Sequence, residues 1–381
     1  MKIVHCCFGN EHYIDTWGYQ QNLLPLYCAK SGLETVVLAS NDTYPSFVNK
    51  DEIEAIKSKG NNYMNGPVRV VRSSSWFHSN IHFQKAKDLK AQLENEKPDI
   101  VFFHGSLNLS LLSCVAYKKK HPEVLLYVDN HGDVMNVNSN WLYRFLFFKC
   151  FLTVFHKYCQ RYVDMYFGVT YGRCRFLNEY LGIKGNKVQL LPIGADVDAA
   201  KEIHSSVNEL RAKLGFSDTD IILIHGGKLD PRKGTVDLIN VYRRLRTTTC
   251  PQLRLVIFGK MVDERIRPIL GNDVTVFDWL SRGQTFELFK VANLAVWPIH
   301  HTTLIEDCVA AGLPYLIRKT ETTQHLINSD FYLREGNEDE LQDRIIEFIS
   351  KSDKNEYKKS LNDILNSINY YHVVAAFTNC P

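Results

Sequence analysis

Residues 221–235 read IILIHGGKLDPRKGT, and this stretch limits the architectures open to the whole chain. Ile221, Ile222, Leu223 and Ile224 form a short continuous apolar run, the mark of a strand buried on both faces. His225, Gly226 and Gly227 end it in a turn with almost no side chain. Lys228 and Lys233 follow, with Arg232 beside the second. Gly234 and Thr235 then open a run in which Val236, Leu238, Ile239, Val241 and Tyr242 recur at helical spacing. A strand, a glycine turn, two lysines and a helix start suit an anion such as phosphate, because backbone N–H groups point outward and lysine adds a full charge. A Gly-Gly turn with solvated lysines is also an ordinary βα connection. The stretch fits neither G-x-x-x-x-G-K-[ST] nor G-x-G-x-x-G.

Strand and helix alternate through the rest of the chain. Strand signals at 2–7, 34–38, 68–71, 100–103, 124–128 and 165–169 are separated by helical stretches, the first helix opening near Gly18 with Gly32 at its C-cap. LLPIGAD (190–196) closes this half, and a short polar segment (198–209) follows. The alternation restarts at Ile221, with further strands at 253–258, 274–277, 294–297 and 315–317. This predicts an α/β protein of two doubly wound parallel sheets. The expected domains are 1–197 and 198–360, with a terminal helical piece, 361–381, packing back on the first.

A chain of 381 residues can support two such cores. A net charge of +3 implies no nucleic-acid partner. No run reaches the roughly 18 apolar residues of a membrane span and no leader pattern opens the chain, so a cytoplasmic protein is expected. The 10 cysteines have no C-x-x-C spacing and signal neither zinc nor a redox motif. His78 and His82 have helical ligand spacing, without a third ligand near them.

Residues 297–314, WPIHHTTLIEDCVAAGLP, are the second informative stretch. Glu306 and Asp307 fall in a first helical turn, where the helix dipole favours carboxylates. A carboxylate beside a loop of donors is also what a ribose diol or sugar hydroxyl wants, since it accepts two hydrogen bonds.

Several motifs together resemble family 4 glycosyltransferases. They are G-K-L-x-x-x-K-G from Gly227 to Gly234, Phe258-Gly259 closing a strand, Trp279, the HTTLIE string ending at Glu306, and A-x-G-x-P from Ala310 to Pro314. Members are retaining enzymes of the GT-B fold, two Rossmann-like doubly wound domains facing a cleft. The resemblance covers nearly the whole chain: 1–32 resembles the family's first strand and acceptor loop, and LPIGAD its interdomain motif. The HTTLIE string is most similar to the group acting in bacterial surface and capsular polysaccharide assembly.

The resemblance implies retaining transfer of a sugar from a nucleotide diphosphate sugar, UDP by default, to a glycan or lipid-linked saccharide acceptor, with no cofactor and no metal. Lys228 and Lys233 would grip the diphosphate, and Gly18, Gly226 and Gly227 would bring N–H groups to it. Lys228 stands where the family usually has arginine, which keeps the charge and loses the bidentate fork. Trp279 and Leu280 would frame the base. Glu306 or Asp307 would hold the ribose, the register being ambiguous by one. The first glutamate of the family's E-x7-E motif falls on Pro298 or Ile299 and is absent. His300 or His301, with Thr302, would replace its contact to the donor sugar.

In the first half, VDNHGDVMN (128–136) places His131 and Asp133 where the family has acceptor-side and sugar-side groups. The same string is also an ordinary polar turn. His104-Gly105 after Phe103 is a weaker version. Asp196-Val197-Asp198 and Asp218-Thr219-Asp220 match the D-x-D of metal-dependent transferases of another fold; their positions suit caps or turns. Residues 141–161, WLYRFLFFKCFLTVFHKYCQR, read either as two core helices or as an interfacial segment on the inner face of the cell membrane, which fits a polyprenyl-diphosphate-linked acceptor. Two other functions stay open: a nucleotide-sugar epimerase on this architecture, and a non-catalytic binding subunit.

Overall fold

A computed structural model describes the chain apart from residues 16, 43, 45–47, 77–82, 134–140, 231, 232, 380 and 381. His78 and His82 therefore lie outside the described residues. Two compact units form, Met1–Pro192 with Val373–Pro381, and Ile193–His372.

The first unit carries β1 (Lys2–Cys7), β2 (Glu34–Ser40), β3 (Asn62–Asn65), β4 (Val68–Ser73), β5 (Ser75–Trp76), β6 (Lys85–Ala86), β7 (Ile100–His104), β8 (Leu125–Asn130), β9 (Met165–Gly168) and β10 (Val188–Leu190). Eight of these form a sheet in the order β10-β9-β8-β7-β1-β2-β4-β3, while β5 and β6 pair separately. Every pair in the large sheet is parallel except β3 with β4. The central strands are buried on both faces, which is why they read as unbroken apolar runs. β3, an edge strand with exposed and half-buried residues only, has no such run and escapes sequence reading.

The second unit holds β11 (Ile221–Gly226), β12 (Leu253–Phe258), β13 (Thr275–Phe277), β14 (Leu294–Trp297) and β15 (Tyr315–Ile317). Their order is β13-β12-β11-β14-β15, all parallel. In each sheet the first strand lies inside, with the chain running outward on both sides of it. The strand order thus reverses between β1 and β7, and between β11 and β14. Such reversals leave a crevice at the strand C-termini, the usual ligand position in open α/β sheets.

The units meet the sequence five residues before the expected 197/198 boundary, at Pro192/Ile193. The cause is local. The Ala195 N–H donates to the Ile368 carbonyl (2.8 Å), and a Cβ on Gly194 would come within 2.3 Å of the Tyr370 ring. The C-terminal stretch is two helices: Asn355–Ile368 packs Leu361 and Ile364 into the second core, and Tyr370–Thr378 follows. From Val373 onward it belongs to the first unit, where buried Phe377 sets its ring edge-on to Phe102 (centroids 5.1 Å apart) and Tyr127 (6.1 Å).

The polar segment contains two short helices. Asp196 caps Val197–Lys201, its Oδ1 accepting from the Ala199 N–H (3.1 Å). Val207–Leu214 carries a full capping box from Ser206 and Glu209, an S-x-x-E signature visible in the sequence. Asp220 closes a turn by accepting from the Ser217 N–H (2.8 Å). Residues 141–161 are partly buried and partly exposed. Helical turns at Trp141–Tyr143, π-helical turns at Arg144–Leu152 and a helix at Thr153–Cys159 bury Phe148, Leu152, His156 and Cys159. Trp141, Leu142, Phe145, Leu146 and Val154 are exposed. Among the described residues no helix is long and apolar enough to cross a membrane.

Truncating Phe377 to alanine removes a fully buried aromatic ring from the first unit. We expect a loss of about 3–5 kcal/mol in stability, read from the urea-unfolding midpoint and slope.

Candidate functional site

Gly226 ends β11 against the ring of Phe258, which a Cβ would approach to 2.2 Å. The Gly227 N–H donates to the Phe258 carbonyl (3.0 Å), and the Trp297 indole N–H donates to the Gly226 carbonyl (3.0 Å). Gly259, at φ 123°, crosses so near that a Cβ would fall 2.0 Å from the Gly227 oxygen. Gly234, at φ 75°, opens the helix Thr235–Thr248 and would place a Cβ 2.9 Å from Pro298. Bare backbone at these positions lets the turn, the helix start and the loop after β14 converge. Thr302 Oγ1 lies 3.7 Å from the point where a Gly227 Cβ would sit.

His225 supports this arrangement from below. Burial holds its pKa down at about 4, so the ring is neutral. Its Nδ1 is 2.8 Å from the Val296 carbonyl and therefore carries the proton, leaving Nε2 to accept from the Thr235 hydroxyl (3.0 Å). Lys228 is exposed and Lys233 half-buried. Burial, then the neighbouring Lys228, push the Lys233 pKa down, with Asp230 opposing. A lysine whose charge is disfavoured in this way gains from an anion placed beside it.

The helix Leu304–Ala311 carries both candidate carboxylates in its first turn. They differ in what surrounds them. Arg282 donates from Nη2 to Asp307 Oδ1 (2.8 Å) and from Nη1 to Oδ2 (3.3 Å), and from Nε to Asp196 Oδ2 (3.0 Å). Burial pushes the Asp307 carboxyl up to about 6, against the pull of Arg282. Both its oxygens are occupied by protein. Glu306 accepts from His301 Nε2 at Oε1 (2.8 Å), while its Oε2 is buried with no partner among the described residues. Trp279 stands 64% exposed just past β13, and Leu280 packs on the second core. The Phe277 carbonyl that ends β13 accepts from the Gly259 N–H (3.1 Å), tying this strand end to the glycine crossing.

The first unit has its own polar cluster at the end of β8, beside the β1/β7 reversal. Asp129 is fully buried. It accepts from His104 Nδ1 (2.7 Å) and the Gly105 N–H (2.8 Å), and His131 Nε2 lies 3.3 Å from its Oδ2. His104 Nε2 is in turn 3.0 Å from His5 Nδ1. Burial opposes the Asp129 charge, but the two imidazoles outweigh it and hold the carboxyl well below the usual range. For His131 burial also opposes the charge; Glu11 and Asp129 outweigh it and raise the pKa. Ligand atoms of His104, Asp129 and His131 fall within 4.8 Å of one another. Tetrahedral zinc at ~2.0–2.1 Å would keep its ligands roughly 3.3 Å apart. The 2.7 Å His104–Asp129 contact is instead a hydrogen bond.

Asp133 is half-buried next to residues 134–140, which lie outside the described set. Gly18 is half-buried two residues ahead of the helix Gln20–Lys30, so that helix opens later than expected. The structure thus brings Gly226, Gly227, Thr302, His301 and Glu306 to one end of the second sheet. Sequence reasoning missed Arg282, Asp129, His5 and Glu11. A signal existed for two of them, because His5 in KIVHCC and Asp129 in LLYVDN interrupt buried apolar strands.

Residues 206–362 match the family described as Glycosyl transferases group 1. The match falls within the second unit, Ile193–His372. Among curated proteins nothing matches the sequence. Solved structures resemble the whole chain. HepE of Anabaena, in complex with UDP, shares 14% identity at TM-score 0.68, covering 100% of this chain and 99% of its own. A glycosyltransferase of Rickettsia africae shares 12% at TM-score 0.70, covering 99% and 97%. WaaG, a glycosyltransferase involved in lipopolysaccharide biosynthesis, shares 13% at TM-score 0.62, covering 99% and 98%. The fold of the chain is GT-B.

Asp307 gives a pH test of this site. Its folded value, about 6, lies above the free value of 3.8, so its stabilising contribution is complete below about pH 4 and is lost as pH rises through about 6. Relative to Asp307→Asn, the wild-type chain should gain stability between about pH 7 and pH 4, seen as diverging urea midpoints.

Proposed function

We propose that this protein transfers a sugar, with retention and without a metal, from a nucleoside diphosphate sugar to a saccharide acceptor. The observation that carries the reading is the side-chain-free turn at Gly226–Gly227, beside the half-buried Lys233 and the unpartnered Oε2 of Glu306. The helix start at Thr235 offers N–H donors to a diphosphate, and the turn leaves room for it. Lys228 and Lys233 neutralise charge that develops on the leaving phosphate as the glycosidic bond breaks. Glu306 takes a ribose hydroxyl on Oε2, and Asp307, whose oxygens Arg282 fills, holds the helix in place. Trp279 and Leu280 border the base, and His301 and Thr302 lie on the sugar side. In the first unit His131 and Asp133 receive substrate hydroxyls, and Gly18 leaves room for phosphate near its helix.

UDP is the nucleotide of choice in this reading. HepE of Anabaena, a fold relative at 14% identity, has also been crystallised with UDP-glucose. The acceptor belongs to surface polysaccharide assembly and is carried on a polyprenyl diphosphate. The exposed Trp141, Leu142, Phe145 and Leu146 rest on the membrane that carries it, and residues 141–161 contain Arg144, Lys149, Lys157 and Arg161 without an acid.

UDP at about a hundred times its Kd should add about 2.7 kcal/mol of stability, visible as a thermal shift without added metal. Lys233→Ala should lower turnover by roughly a hundredfold or more. A normal rate in that variant removes the lysine from the mechanism, and no shift with any nucleoside diphosphate would favour a non-catalytic binding subunit. Vesicles rich in anionic lipid should co-sediment the protein, and Leu142→Ser with Phe145→Ser should abolish this; equal recovery with neutral vesicles counts against the membrane contact.

A further inference from the structure

Asp129 needs two donors to be buried at tolerable cost, and it has them in His104 and the Gly105 N–H. His131 approaches the same carboxylate, its Nε2 3.3 Å from Oδ2, and each group favours the other's charged form.

The His104 proton follows from the carboxylate. Ionised Asp129 only accepts, so His104 Nδ1 carries a proton. His104 Nε2 lies 3.0 Å from His5 Nδ1, and His5 Nε2 is buried with no partner among the described residues. Burial keeps the His5 pKa well below the ordinary value, consistent with a neutral ring. The chain His5–His104–Asp129 ends in negative charge beside His131. The His131 backbone is held as firmly. Arg173 Nε donates to the His131 carbonyl (2.9 Å), and the Asn130 side chain donates to the Gly132 carbonyl (2.8 Å) and accepts from its N–H (3.2 Å).

We propose that Asp129 is a positioning residue for transfer: anchored by His104, His5 and the Gly105 N–H, it fixes the His131 ring and supplies the negative charge against which that ring works. The assignment rests on the reading of His131 as a substrate-facing group. The charged and titratable neighbours are Asp129 and Asp133 on its own strand and loop, His104 on β7, His5, Cys7 and Glu11 on β1 and the loop after it, and Arg173 on the helix Tyr171–Glu179. Of these Arg173 opposes the imidazolium, and Glu11 and Asp129 favour it. A raised pKa favours the protonated ring, which suits His131 to donate to a substrate oxygen.

The test uses the full chain. The His131 resonance, assigned by its loss in His131→Gln, is titrated by NMR in wild type and in Asp129→Asn, and transfer is followed against pH in all three. Wild-type His131 should titrate above free imidazole, and in Asp129→Asn at lower pH. The alkaline fall of kcat should move down with it, and the plateau kcat should drop roughly tenfold to a hundredfold, the scale of one lost charged contact, with KM for the donor little changed. If His131→Gln transfers normally, the reading of His131 falls and the assignment with it. If His131→Gln is crippled while Asp129→Asn leaves titration and rate unchanged, only the assignment falls. Should Asp129→Asn not fold, wild-type His131 titrating at or below free imidazole overturns the proposal by itself. Stoichiometric Zn²⁺ uptake by wild type that depends on Asp129 also overturns it, making the trio a metal site.

Discussion

At Gly227 and Gly259 two stretches of backbone pass so close that no side chain fits between them. The ends of β11, β12 and β13 are joined through that crossing, by the Gly227 N–H on Phe258 and the Gly259 N–H on Phe277. A Cβ at Gly259 would fall 2.0 Å from the Gly227 oxygen and force the strand ends apart. Both residues hold φ above 100°, a conformation that side chains disfavour independently of space. The rest of the second unit's polar edge is arranged around this bare junction.

Buried carboxylates are handled in four ways, and the differences carry functional content. Asp15 is surrounded by Arg72, Tyr63 and Lys59, all bonded to its two oxygens. Asp307 is filled by one guanidinium that also grips Asp196. Asp129 is anchored by an imidazole chain and a backbone N–H. Glu306 alone among these keeps an oxygen that is buried and without a protein donor, at a cost of about 1–3 kcal/mol in general. A cost of that size, at the reversal of a parallel sheet, is one that a donor from outside the protein would relieve. Asp307, its sequence neighbour, has no such opening, because Arg282 donates to both its oxygens.

The strands of both sheets were legible because burial on both faces demands continuous apolar runs, and 253–258, 294–297 and 315–317 coincide with the observed bounds. Strands without that demand were not: β3 and β10 at the edges, and the two-residue β5 and β6. The lysines, glycines and carboxylates of the second unit stand in short sequence segments, so their proximity could be read from local spacing. Arg282 is distant in sequence from Asp196 and Asp307, and His5, His104 and Asp129 come from three strands. No spacing rule joins such residues, because only the registry of β1, β7 and β8 sets them side by side.

The sequence by itself determined the alternation of elements, the two doubly wound sheets, and the chemistry available at each strand end, since these follow from local periodicity and residue type. Tertiary structure decided which of two adjacent acids is left open, where the chain passes from one unit to the other, and that a buried aspartate stands behind His131. Those outcomes depend on which atoms meet across strands and helices remote in sequence. Hydrogen-bond partners and desolvation, which set the charge and the freedom of each polar group, exist only once the chain has folded.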